Sequence, residues 1–400
     1  MPVHSVQVDR KTSDIMDTLR GVSALVVACV HAYQVFLIPY FGFGSPSHVV
    51  TGLLATHAVT AFFVASGFMI CISVFRHRNE DGTFRGRAFA EARILRIYPP
   101  LIAAILLTIG VYFVIAGFQL HGAESYRLGG EIDVARERAT LEWNLLPSTF
   151  FLLYGTFANA PAPINMDGPL WTLGFEWWFY VLAFVFARLW NGLALSTIVP
   201  FLAGVWIVLI NHDVFFVWFL VIWLGGFVLG GAYLSGALFR LSSRGLAVLA
   251  LAVIATALLI GRRYLITDLL DPFGSPHGKR IWASVGLLIA VGIAAAIRAQ
   301  RDWRIPRWIT GLSAFSYTLY VVHYPLLLLA YSLLHPLTHG HGWLFTMFVM
   351  AATIPPVVFF AALLARVVEN RGAIRRLISK LFGRAQAVDA ILRVDTISKS

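Results

Sequence analysis

Hydrophobic and polar positions along this chain fall into long blocks rather than alternating with the period of two that marks strands. Apolar runs cover about 16–38, 49–75, 98–120, 169–189, 194–211, 214–234, 245–260, 281–298, 309–334 and 343–366. An α-helix needs about 20 apolar residues to cross a bilayer. The pattern therefore predicts an all-α, polytopic transmembrane helix bundle of about ten spans. Residues 1–15 read as a polar tail, 16–366 as the transmembrane domain and 367–400 as a second tail. The longest loop, 121–168, contains two features. Glu131 to Trp143 mixes charged and apolar residues at helical spacing, which predicts a short surface helix. Leu145 to Tyr154 is apolar but too short to cross, so it reads as an interfacial or re-entrant piece. In the last tail, Ile374, Leu377, Ile378 and Leu381 share a helical face surrounded by Arg375, Arg376, Lys380 and Arg384. That is the pattern of a basic helix lying on a membrane surface.

Composition agrees. The 400 residues are 58% hydrophobic and 13% charged, with a mean hydropathy of +0.76, outside the range of soluble globular domains. The net charge of +11 does not point to nucleic acid, because the basic residues flank the spans. With the N-terminus inside, 24 of the 31 Lys and Arg fall on inner segments, so the positive-inside rule predicts N-in and C-in. Cys29 and Cys71 both lie in apolar runs and imply no disulfide framework. The first apolar run carries Arg20 and lacks a small-residue cleavage site, so it is expected to remain as a span.

Few residues within the spans can do chemistry. His31, His57, Glu176 and His323 are the ionisable groups well inside them, and such groups need a cavity or a partner in hydrocarbon. Arg20 and His31 are eleven residues apart, about three turns and about 16.5 Å on one helical stripe. This places a cation at the lip and an imidazole near mid-membrane; an interfacial anchor and a packing histidine are the plainer alternative. Arg93 and Arg96, three apart, set two guanidiniums side by side, a geometry suited to phosphate or simply to anchoring. Glu176 sits among Trp171, Phe175, Trp177 and Trp178, with Tyr180 one turn on. Ser316, Tyr320 and His323 lie near one face of the ninth run, just before Pro325. His57 reads as a packing residue. His335, His339 and His341 have no carboxylate or cysteine beside them, a weak basis for a metal site.

In order, these stretches resemble the acyltransferase 3 family of bacterial integral-membrane O-acyltransferases. The resemblance rests on Asp17, Arg20, Gly21 and His31; on Phe62 to Phe68; on Arg93, Arg96 and Pro99; on Trp171, Leu173, Glu176, Phe179 and Tyr180; on Ser316, Tyr317, Tyr320, His323 and Pro325; and on Glu369 after the last span. Thr172, Gly174, Trp177, Asn370 and Arg371 depart from the common pattern.

The resemblance implies transfer of an acyl group, usually acetyl, from cytoplasmic acyl-CoA to a hydroxyl of a sugar. The acceptor would be a glycan or glycolipid such as lipopolysaccharide or exopolysaccharide, and the location the bacterial inner membrane. No metal is implied. His31 is the expected base, with Glu176 and His323 completing the catalytic set. Arg20, Arg93 and Arg96 are expected to hold the CoA phosphates. Asp17, Ser66, Tyr180, Ser316 and Tyr320 are expected to bind substrate. A proton-coupled transporter or flippase of a lipid-linked sugar, relaying protons through the histidines and Glu176, is the alternative, and a membrane protein without turnover is a third reading.

Overall fold

The computed structural model describes residues 8–42, 45–121, 141–154, 162–189, 195–210, 214–261, 276–299, 305–377 and 379–380. Ten longer helices follow one another: α1 (Arg10–Phe41), α2 (Pro46–Arg76), α3 (Gly86–Gly117), α4 (Trp171–Leu189), α5 (Leu195–Ile210), α6 (Val214–Leu234), α7 (Ser243–Gly261), α8 (Pro276–Ala299), α9 (Ser316–Thr338) and α10 (Trp343–Val368). Among the described residues there is no strand. Eight of the helices, all but α5 and α7, are long and apolar enough to cross a membrane. Leu106, Val228, Phe348 and Phe359 are exposed, as lipid-facing residues would be.

Each expected apolar run coincides with a helix, but two boundaries move. α3 begins at Gly86, about twelve residues before the apolar run starts. Arg87, Glu91, Arg93 and Arg96 are thus on the helix, which continues past the apolar segment because its charged side chains reach solvent, a cavity or a partner. Conversely, α9 begins at Ser316, after two short turns at Arg307–Gly311 and Leu312–Ala314. The expected surface helix of Glu131 to Trp143 lies almost wholly outside the described residues. Leu145 to Tyr154 does not cross the bundle: the turn Trp143–Leu145 leads into a five-residue helix, Leu146–Phe150, that folds back on α4. Trp178 Nε1 donates to the Leu152 carbonyl at 2.8 Å and Tyr154 Oη to the Leu170 carbonyl at 2.5 Å. Gly174 makes this fit, since a Cβ there would stand 2.9 Å from the Tyr154 carbonyl oxygen.

Small residues let the central helices touch. α2 packs most extensively on α6 and on α1. A Cβ at Gly67 would fall 2.0 Å from the Trp223 carbonyl oxygen, and one at Gly226 2.0 Å from that of Val64. The two backbones therefore meet with nothing between them, the way membrane helices gain dispersion contact without a hydrophobic driving force. Gly21 does the same for α1: a Cβ would meet Leu312 Cβ at 2.6 Å and the Ser313 amide nitrogen at 2.9 Å. This contact seats the turn before α9 against α1. Glu369 then fastens the start of α9, its Oε1 accepting from the Thr318 amide at 3.1 Å and the Thr318 hydroxyl at 2.6 Å. A carboxylate at a helix N-terminus meets both unpaired amides and the positive end of the dipole.

Candidate active site

One end of the bundle collects the start of α1, the end of α2, the first half of α3, the middle of α4 and the residues after α10. Between them lies a cavity of ≈ 410 Å³. Six arginines line it: Arg20, Arg76, Arg93, Arg96, Arg371 and Arg375. The one carboxylate in the lining is Glu176.

Each side chain is held by identifiable neighbours. Arg93 Nη2 donates to Ser73 Oγ at 3.3 Å, and the guanidinium lies over the rings of Phe89 and Tyr180 at 5.5 and 5.6 Å. Arg96 lies over Tyr317 at 5.5 Å and has no hydrogen bond or ion pair among the described residues. Aromatic faces support a desolvated guanidinium while leaving its in-plane donors for a ligand. Arg20 sits 3.7 Å from Asp17, one turn back on α1. Glu176 Oε1 accepts from Ser66 Oγ at 3.2 Å and from the Tyr180 hydroxyl, one turn along α4. That oxygen is therefore already engaged.

The histidines form a separate pair. α1 is unbroken from Arg20 to His31, so the eleven-residue spacing is a true helical rise of about 16.5 Å. His31 Nδ1 lies 2.7 Å from His323 Nε2, with the two rings within 1° of coplanar. His323 Nδ1 lies 3.1 Å from the Leu319 carbonyl oxygen. A carbonyl only accepts, so His323 Nδ1 carries its proton, and the Nε2 of the neutral ring is an acceptor. His31 Nδ1–H then donates to it. The remaining His31 nitrogen, Nε2, keeps its lone pair and has no hydrogen-bond partner among the described residues. This is the proton arrangement of a general base.

The structure thus gathers Arg20, Arg93, Arg96, Glu176, Tyr180 and Ser66 around one cavity, and His31 with His323 in a second cluster. Tyr320 joins the two. Its ring stacks on Phe62, a cavity residue, at 6.0 Å and lies 5.9 Å from that of His323. Its hydroxyl accepts from Thr172 Oγ1 at 2.7 Å and donates to the Pro169 carbonyl at 3.2 Å. Thr172, a departure from the family pattern, keeps the hydroxyl this contact needs. Asp17 and Ser316 lie outside the cavity lining; Ser316 Oγ donates to the Ser313 carbonyl at 3.1 Å. His57 packs edge-on against Trp282 at 4.6 Å, with Nδ1 2.6 Å from the Leu53 carbonyl oxygen.

Sequence reasoning missed Arg76, Arg371 and Arg375. Along the chain Arg76 is one of the inner-segment basic residues counted for orientation. Arg371 was only a departure from a motif and Arg375 part of a surface helix. In the structure residues 371–377 are helical and bring both of these arginines to the cavity. Asn370 accounts for the turn: its side-chain oxygen accepts from the Ala373 amide at 3.0 Å, an N-cap.

At the far end of α9, His335 stacks on His121 with ring centroids 3.3 Å apart and lies 5.0 Å from His339. Burial and these two neighbours push the His121 imidazole down to about 4. His341 turns away to pack on Phe345. No group of three or more His, Cys, Asp or Glu suited to a metal occurs among the described residues.

The described residues form an all-helical bundle of membrane-spanning character, with an arginine-lined cavity at one end and an imidazole pair beyond it. The chain belongs to the acyltransferase 3 family, whose model, described as an acyltransferase domain, matches residues 14–365. It is a multi-pass membrane acyltransferase. No curated protein matches it, and no solved structure does.

Proposed function

We propose that this protein is an O-acyltransferase that takes an acyl group, acetyl in the simplest case, from acyl-CoA and passes it to a hydroxyl of a cell-envelope or exported glycan. In this reading the bundle lies in the bacterial inner membrane with both termini cytoplasmic, and the arginine cavity opens to the cytoplasm. The observation that carries the reading is the cavity itself: six guanidiniums facing one space against a single, already engaged carboxylate. Arg93 and Arg96 are half-buried with no ion pair among the described residues; such cations call for an anion, and a forked guanidinium matches phosphate best.

Length supports the same assignment. The pantetheine arm between the CoA diphosphate and its sulfur is an extended chain of about twelve bonds, about 15 Å. The rise from Arg20 to His31 is about 16.5 Å. A diphosphate held at the level of Arg20 would thus bring the thioester close to His31. There, His31 Nε2 accepts the proton of the acceptor hydroxyl as its oxygen attacks the thioester carbonyl carbon. The carbon–sulfur bond then breaks, and the CoA thiolate takes up the proton from His31. The imidazolium formed in between keeps its Nδ1–H on His323 Nε2, a hydrogen bond that strengthens when the donor is charged.

The test is to incubate membranes containing the protein with labelled acetyl-CoA and analyse the glycan fraction by mass spectrometry. Label on glycan hydroxyls is expected. Transport of a lipid-linked sugar without label transfer would overturn the reading.

A further inference from the structure

The cavity is longer than one diphosphate requires. A single stripe of α2 lines it from Phe62 through Ser66 and Ser73 to Arg76, fourteen residues or about 21 Å along the helix. Its arginines fall into two sets. Arg20, Arg93 and Arg96 are partly buried, and Arg93 Nε is buried with no hydrogen-bond partner. Arg76, Arg371 and Arg375 are exposed and belong to the end of α2 and to the helix after α10. Arg371 has no ion pair among the described residues. Partial desolvation of its guanidinium and the charges of Arg96 and Arg375 hold it below its ordinary value, against the attraction of Glu369, as crowding of like charges does.

The segment carrying Arg371 and Arg375 is fixed in place. Glu369 is tied to Thr318 at the start of α9, Asn370 caps the turn that follows, and Arg375 Nε donates to Glu91 Oε1 of α3 at 2.9 Å. The helix carrying Arg371 and Arg375 is therefore strapped between α9 and α3. Both arginines line the cavity, and both are exposed.

Resting on the acyl-CoA reading above, we propose that Arg371 and Arg375, together with Arg76, form a second phosphate subsite that takes the 3′-phosphate on the ribose of CoA. The chemistry sets the order. The acyl arm leaves from the diphosphate and must run inward, so the diphosphate takes the inner arginines and the ribose, with its phosphomonoester, remains at the mouth. A phosphomonoester carries about −1.5 to −2 charges at neutral pH, enough to meet Arg371 and the free donors of Arg375, whose Nε alone is engaged by Glu91. The donor is thereby selected as CoA itself, against 3′-dephospho-CoA and against acyl groups on a protein-bound phosphopantetheine, which lack that phosphate.

The experiment is equilibrium binding of CoA and of 3′-dephospho-CoA to the full-length protein in nanodiscs. Wild type is expected to prefer CoA by about tenfold to a hundredfold, the scale of one or two charge-assisted hydrogen bonds. In Arg371→Gln with Arg375→Gln that ratio should fall towards one because CoA alone weakens. In Arg93→Ala both ligands should weaken in parallel with the ratio kept. If the double variant does not fold, Arg371→Gln alone, at an exposed position, should lower the ratio. Equal affinities in wild type would overturn the subsite while leaving the acyl-CoA reading intact. So would a double variant that weakens both ligands equally, as a general positive field would. If wild type bound neither ligand, the acyl-CoA reading would fall as well.

Discussion

His31 Nδ1 and His323 Nε2 stand 2.7 Å apart in nearly coplanar rings, joining residues 292 positions apart in the chain. The Leu319 carbonyl at the far side of His323 fixes the direction of every proton in this chain. In the proposed mechanism His323, expected from the sequence to belong to the catalytic set, positions His31, and His31 is the group with a lone pair to offer.

His31→Gln retains a side-chain donor and acceptor but no base at neutral pH. Transfer should fall by about 10²–10⁴-fold, while CoA binding is unchanged. His323→Gln can still accept from His31 Nδ1–H through its amide oxygen, so it should lose less activity than His323→Leu. Single-turnover transfer from labelled acetyl-CoA reads both. A His31→Gln variant at near wild-type rate would exclude His31 as the base.

Arg93 and Arg96 should be the most sensitive donor contacts. Arg93 is oriented by Ser73 and two aromatic rings, and Arg96 has only the Tyr317 face beneath it. Replacing either with Ala should weaken CoA by about tenfold or more. Lys should not restore it fully, because an ammonium is a point charge without the planar fork. Isothermal titration of the purified variants checks this; unchanged affinity would return these arginines to anchoring.

Gly226→Val should be poorly tolerated. Even a Cβ there would sit 2.0 Å from the Val64 carbonyl oxygen, and backbone cannot yield as a flexible side chain would. Separating α2 from α6 should cost about 1–3 kcal/mol or more, seen as a lower unfolding midpoint in detergent. Gly110→Ala, where no atom lies within 4 Å of the added Cβ, is the control and should be close to neutral.

Orientation can be read directly. A reporter fused after Lys380 should be cytoplasmic, and a tag inserted within 125–140 should be reached from outside. Both follow from the placement of 24 of the 31 basic residues. The reverse result would separate the arginine cavity from cytoplasmic CoA and end the proposed donor assignment.

The amino-acid sequence by itself determined the all-helical membrane character of this protein, because apolar blocks of spanning length leave the backbone no other way to satisfy its hydrogen bonds in lipid. It also determined the pairing of Arg20 with His31 and of Arg93 with Arg96, since both rest on periodicity within one helix. Relationships between helices were a different matter. That His31 meets His323 rather than Glu176, that Tyr320 links histidine pair and cavity, and that Glu369 caps α9 depend on which helix faces touch. Those faces are set by close approaches at Gly21, Gly67 and Gly226, where the absence of a side chain leaves no mark in a hydropathy pattern. The same holds for Arg371 and Arg375: along the chain they are two more basic residues after a span, and only the strap through Glu369, Asn370 and Glu91 turns them towards the cavity.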